Sequence, residues 1–146
     1  MTMLYQTLLR LAALILTGLV FVYSAQSAGL DLSPEEALTK ARSGEILLID
    51  IRTPEEWRET GVPAEAHRID MTDPRFIERL LQTMGGNRSA PIALICRTGN
   101  RSGYVQQQLR KLGFSQVYDV PEGVLGNRLG PGWIRRGLPI ERCTDC

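Results

Sequence analysis

The chain is short of the residues from which metal and acid–base sites are usually built. Its 146 residues include one histidine, His67, and three cysteines. A single imidazole with no second one beside it does not fill a zinc ligand set, so neither a metal nor an organic cofactor is expected. Charge of one sign is also lacking: 17 Lys and Arg against 16 Asp and Glu leave a formal charge of +1, which excludes a strongly basic nucleic-acid-binding surface. Repeats and low-complexity tracts are absent beyond Ala28. Aromatics make up 6% of the chain, and Trp57 and Trp133 read as packing residues. What remains, 43% hydrophobic over 146 residues, suits one compact domain.

Charge is missing in one place above all. Arg10 is the only charged residue before Ala28, and "LAALILTGLVFV", Leu11 to Val22, runs into "YSAQSAG". A cationic residue, an apolar stretch and Ala25-x-Ser27 as a cleavage signature make a secretory signal peptide. The competing reading is an uncleaved membrane anchor, because the apolar character continues through Tyr23, although the run is shorter than the about 20 residues of a full span. Residues 1–28 are therefore expected to be a signal peptide or anchor, and 29–146 the domain. Either way the domain is exported, to the periplasm in a bacterium, where thiols meet an oxidising setting.

From Ser33 on, helical and apolar segments alternate. "SPEEALTKARSG" opens with Ser33 as N-cap, Pro34 at the first helical position and Glu36 completing a capping box, and stops at Gly44. "EILLIDI" is a continuous apolar run suited to a strand covered on both faces. "TPEEWRETG" repeats the helix opening and its glycine stop. "AHRIDM" reads as a strand, "DPRFIERLLQTMGG" as a helix, "PIALIC" as a buried strand, "RSGYVQQQLRKLGF" as a helix with Val105, Leu109 and Leu112 on one stripe, and "QVYDV" as the last strand. Such alternation implies parallel strands joined by right-handed crossovers, an α/β sheet with helices on both faces. Ligands in such sheets sit at the carboxyl ends of strands, which places Asp50 and Cys96 on one rim.

Cys96 leads into "CRTGNRS". Gly99 and Asn100 tolerate a left-handed turn, and the amides of such a turn, with the dipole of the following helix, form a concavity for an anion. A thiolate is that anion and is also the nucleophilic form, while Arg97 and Arg101 can add charge-assisted contacts to an incoming oxyanion. Thr98, Gly99 and Asn100 supply the backbone between them. A cysteine phosphatase or arsenate reductase needs arginine six places after the cysteine, where this chain has Ser102; Arg101 comes one place early. A thioredoxin-like pair needs cysteine where Gly99 stands. Transfer of a single sulfur atom fits the shorter loop.

These residues carry a resemblance. "CRTGNRSG" after a strand, "LLIDIRTPEEWRETG" upstream, and "GFSQVYDVPEGVLGN" with "GWIRRGLPIE" downstream are similar to a single-domain rhodanese over nearly everything after Ala28. The resemblance implies a five-stranded parallel α/β sheet, Cys96 as persulfide carrier, and the segment from Arg97 to Arg101 as its cradle. It also implies that Asp50 and Arg52 are structural, tying the rim to the loop through hydrogen bonds and an ion pair with Glu56. The partners it implies are a small anionic sulfur donor such as thiosulfate and a thiol or cyanide acceptor. Where the family often has Gly-His-Ile-x-Gly-Ala, this chain has "GVPAEAHRI", with Val62 for the histidine and Glu65 for the second glycine, so the turn there is expected to differ. His67 reads as an ordinary strand or rim residue.

"CTDC", Cys143 to Cys146, closes the chain. It reads as a surface tail oxidised to a local disulfide, whose loop is too short to gain much from chain entropy, or as a dithiol that takes sulfur from Cys96 or exchanges with a redox partner. The expected function is an exported sulfurtransferase, with a rhodanese-like binding or persulfide-carrier module of little turnover as the alternative.

Overall fold

A computed structural model describes residues 30–146; the signal peptide or anchor expected over residues 1–28 lies outside them. Among the described residues no helix is long and apolar enough to cross a membrane. The elements run in the order α1 (Pro34–Arg42), β1 (Leu47–Asp50), α2 (Pro54–Thr60), β2 (Val62–Pro63), β3 (Ala66–Arg68), α3 (Phe76–Thr83), β4 (Ile92–Ile95), α4 (Asn100–Lys111), β5 (Val117–Asp119), α5 (Gly132–Arg135) and β6 (Ile140–Glu141). The first two helices start for the same local reason. Ser33 and Thr53 each accept from the amide three residues on, and Glu36 and Glu56 return the bond to the cap backbone.

The main sheet is parallel and has four strands in the order β3-β1-β4-β5. Among the described residues the five-stranded sheet that the resemblance implies is thus one strand short. The fifth is reduced to a single parallel bridge, Asp31 to Asp119, where Leu32 N–H and Asp119 N–H each make a 2.8 Å bond across the pair. It stops there because Ser33 and Pro34 turn the chain into α1. β2 and β6 form a separate antiparallel pair, and β3 ends at Arg68, short of the stretch to Met71 that the apolar pattern suggests.

Helices cover both faces of the sheet. Along β4, Ile92 and Leu94 pack with Phe76, Leu80, Val105 and Leu109, while Ala93 and Ile95 pack with Ala37, Leu38 and Trp133 on the opposite face; this is the two-residue alternation of a strand buried on both sides. Leu112 does not continue the α4 stripe. It caps the helix at its carboxyl end and is 49% exposed.

Candidate active site

Asp50 is paired in register with Ile95, so Asp50 and Cys96 share one rim at the carboxyl ends of β1 and β4. Parity along β4 puts Cys96 on the face of Ile92 and Leu94, where it is only 1% exposed. The chain must then turn from strand to helix within four residues, Cys96 to Gly99. It does so by passing Gly99 through φ +87° immediately before α4. A Cβ at that position would also run into the Pro121 carbonyl, so glycine is required for both backbone and space.

The loop's carbonyls are fixed outward. Cys96 O accepts from Val124 N–H and Arg97 O from Leu125 N–H, both at 2.9 Å, and Thr98 O accepts from Asn127 Nδ2 at 2.7 Å. Inward, Gly99 N–H donates to Cys96 Sγ at 3.1 Å. The Ser102 hydroxyl lies 3.4 Å from the same sulfur and 3.1 Å from Gly99 O; with one proton, it donates to one of them at a time. One amide, one hydroxyl and the first turn of α4 therefore meet the sulfur.

Arg97 and Arg101 are already partnered. Arg101 makes a two-pronged pair with Glu56, Nη1 to Oε2 at 2.8 Å and Nη2 to Oε1 at 2.6 Å. Arg97 Nη1 lies 2.8 Å from Glu59 Oε2. Burial pushes the Glu56 carboxyl up, but Arg101 and the Thr53 amide outweigh it and hold the group below its ordinary value; Arg97 does the same for Glu59. Both loop guanidiniums thus face carboxylates of α2. Arg128 is different: among the described residues it makes no hydrogen bond or ion pair, and it lines a cavity of ≈ 490 Å³ together with Thr98, Gly99 and Asn100 of the loop.

Beneath the rim lies a buried ion pair. Asp50 and Arg52 are both fully buried, and Arg52 Nε and Nη2 reach the two carboxylate oxygens at 2.9 and 2.6 Å. The guanidinium also donates to Thr60 Oγ1 at 2.7 Å and Gly61 O at 2.8 Å, locking the end of α2 to the end of β1. The expected ion pair between Arg52 and Glu56 is not made. Arg52 reaches only the Glu56 carbonyl, at 3.4 Å, and the Glu56 carboxylate goes to Arg101 because the capping box turns it toward the loop.

Asp119 ends β5 at 5% exposure, and its Oδ1 has no partner among the described residues. Burial, with Asp31 nearby, pushes its carboxyl up to about 6 against the pull of the Ser102 hydroxyl and the Val120 amide. Glu65 is the one non-glycine residue with positive φ (67°) among those described, so a glutamate occupies a left-handed position in this turn. His67, on β3, is exposed.

A family model described as "Rhodanese-like domain" matches residues 33–126, more than half of the chain. The chain belongs to the rhodanese-like family. Relatives similar to it include a thiosulfate sulfurtransferase (GlpE) of Tolumonas auensis, 26% identical over 97 residues covering 66% of this chain and 86% of that one. An uncharacterized protein of Rickettsia rickettsii is 29% identical over 100 residues, 64% of this chain and 81% of its own. Among solved structures, the polysulfide-sulfur transferase homodimer from Wolinella succinogenes is similar at 26% identity and a TM-score of 0.61, over 88% of this chain and 90% of that one.

Several residues of this rhodanese-like site escape a reading of the motif alone. Glu59 follows Glu56 by three, a spacing that puts both on one helix face, and that signal was readable. Asn127 and Asp119 carry no local signal, since only the folding of β5 beside β4 brings them to the loop. Cys143 and Cys146 are joined in a disulfide; Arg58 donates to the Cys146 carbonyl and Arg68 reaches the sulfurs and Asp145.

Proposed function

We propose that the protein is an exported sulfurtransferase that moves a sulfane sulfur from a small anionic donor to a thiophilic acceptor through a persulfide on Cys96. The observation that carries this reading is the placement of Cys96 Sγ between the Gly99 amide at 3.1 Å and the Ser102 hydroxyl at 3.4 Å. The thiolate attacks the outer sulfur of thiosulfate, the S–S bond breaks, and sulfite leaves with the electron pair, so no side-chain acid is needed. Cyanide or a thiolate then attacks the terminal sulfur of the persulfide and releases Cys96 as thiolate, with amide and hydroxyl holding the charge on Sγ before the donor is attacked and again as the thiolate is released.

Thiosulfate and polysulfide are the donor classes that suit a sulfur so deeply set, because each ends in an unencumbered sulfur. The anionic end of the donor is assigned to Arg128 at the loop's flank, since Arg97 and Arg101 are held by Glu56 and Glu59. Support also comes from the relatives that are a thiosulfate sulfurtransferase and a polysulfide-sulfur transferase. A phosphatase reading fits less well, since Arg101 is committed to Glu56 and the sixth loop position is Ser102.

Steady-state kinetics test this. With thiosulfate and cyanide varied together, thiocyanate formation is expected to give the parallel-line pattern of a ping-pong cycle, and Cys96→Ser is expected to abolish it. A persulfide that forms without turnover would instead make the protein a carrier. Export is checked by N-terminal sequencing of the protein from cells, expected to begin near Ala28.

A further inference from the structure

We propose that the Cys143–Cys146 disulfide is an exchange-active redox site, opened by a reductant bearing two neighbouring thiols, with Arg68 stabilising the thiolate that it expels. The disulfide spans three residues of sequence, and a loop that short gains little from cross-linking. The tail is held without it: Arg58 Nη1 donates to Cys146 O at 2.7 Å, and Arg68 pairs with Asp145 at 2.8 and 3.1 Å. What the disulfide does have is a cation on its sulfurs. Arg68 Nη1 lies 2.7 Å from Cys143 Sγ and 3.1 Å from Cys146 Sγ.

Both cysteines are half-buried rather than enclosed, and cavities of ≈ 600 and ≈ 270 Å³ flank Cys143. The charged groups around it are Arg58 and Glu59 from α2, Arg68 from β3, Glu141 and Arg142 from β6 and its extension, and Asp145 of the tail. Arg68 lies against both sulfurs, and the Asp145 carboxylate that it pairs with comes within 3.8 Å of Cys143 Sγ, where it opposes the thiolate.

A thiolate of the reductant attacks Cys146 Sγ, the intramolecular S–S bond breaks, and Cys143 leaves as a thiolate beside Arg68. The second thiol of the reductant, deprotonated, then attacks its own sulfur in the mixed disulfide and releases Cys146, which takes up a proton. Two electrons pass from the reductant, now a disulfide, to the tail, now a dithiol. A guanidinium at the departing sulfur makes it the better leaving group and speeds the step.

The test uses the full chain carrying Cys96→Ser, so that only the tail sulfurs react and the outcome is independent of the sulfurtransferase reading. Dithiothreitol is the probe, and free thiols are counted by alkylation and mass. Adding Arg68→Gln is expected to slow reduction about tenfold and to move the ultraviolet titration of the reduced Cys143 thiolate to higher pH. Adding Asp145→Asn, which breaks the same ion pair but keeps the guanidinium, is expected to leave the rate unchanged or raise it. Equal slowing by both substitutions, or no effect of Arg68→Gln on rate and titration, would overturn the proposal.

Discussion

Two places in this chain set sulfur close to arginine, and they do it in opposite ways. At the rim, Cys96 is buried, its sulfur is met by an amide and a hydroxyl, and the nearby guanidiniums of Arg97 and Arg101 are turned to Glu56 and Glu59. At the tail, the sulfurs of Cys143 and Cys146 are half-exposed and a guanidinium lies directly against them. Neutral dipoles fixed by the fold can hold a charged sulfur through a cycle without binding it too tightly to release. A full cation at a surface disulfide favours the thiolate that leaves. The difference also divides what supports each site: the rim hangs on buried bonds, the tail on exposed ones.

The contrast is broken most severely at Arg52. Arg52→Met leaves Asp50 buried without its counter-charge and strips Thr60 Oγ1 of its donor, so denaturant unfolding is expected to show a loss of about 3–5 kcal/mol. The double change Asp50→Leu with Arg52→Met should recover much of that, because it removes the stranded charge along with its partner.

Asp119 sharpens the comparison through pH. Its carboxyl ionises with difficulty in the folded chain, at about 6 against an ordinary 3.8, so the folded state binds the proton more tightly than the unfolded one does. The resulting penalty is absent below about 4, grows between about 4 and 6, and is fully present above about 6, where it amounts to roughly 2–3 kcal/mol. Asp119→Asn is therefore expected to raise stability at neutral pH and to change little near pH 4 (about the unfolded carboxylate value). Equal effects at both pH values would contradict this account.

The smallest expected effect lies on the connection between the two sites. Glu65, in the turn that leads from α2 toward Arg68, sits at φ 67°, a conformation that costs a side-chain-bearing residue about 1 kcal/mol relative to glycine. Glu65→Gly should raise the unfolding midpoint modestly and leave Cys96 chemistry untouched.

Most of the fold was readable from local signals: capping boxes at Ser33 and Thr53, glycine stops at Gly44 and Gly61, and the apolar run before Cys96. These signals act within a few residues and need no tertiary context. The fifth strand was legible only as part of the family resemblance, and it is cut short because Pro34 follows so closely. Within the site, the loop residues Cys96 to Arg101 were readable as a motif, but the partners of Arg97 and Arg101 were not. The resemblance assigned Glu56 to Arg52, and only the paths of β1, α2 and β4 bring its carboxylate to Arg101. Asp119 was legible as a strand residue, while its burial beside Ser102 depends on β5 packing against the α4 turn.

The most direct test of the central claim is the mass of the Cys96 peptide after the protein meets thiosulfate. The account predicts a gain of one sulfur on that peptide, reversed by cyanide, absent in Cys96→Ser and retained in a chain carrying Cys143→Ser with Cys146→Ser. A sulfur gain that vanishes in the tail variant, or no gain on Cys96 at all, would contradict it.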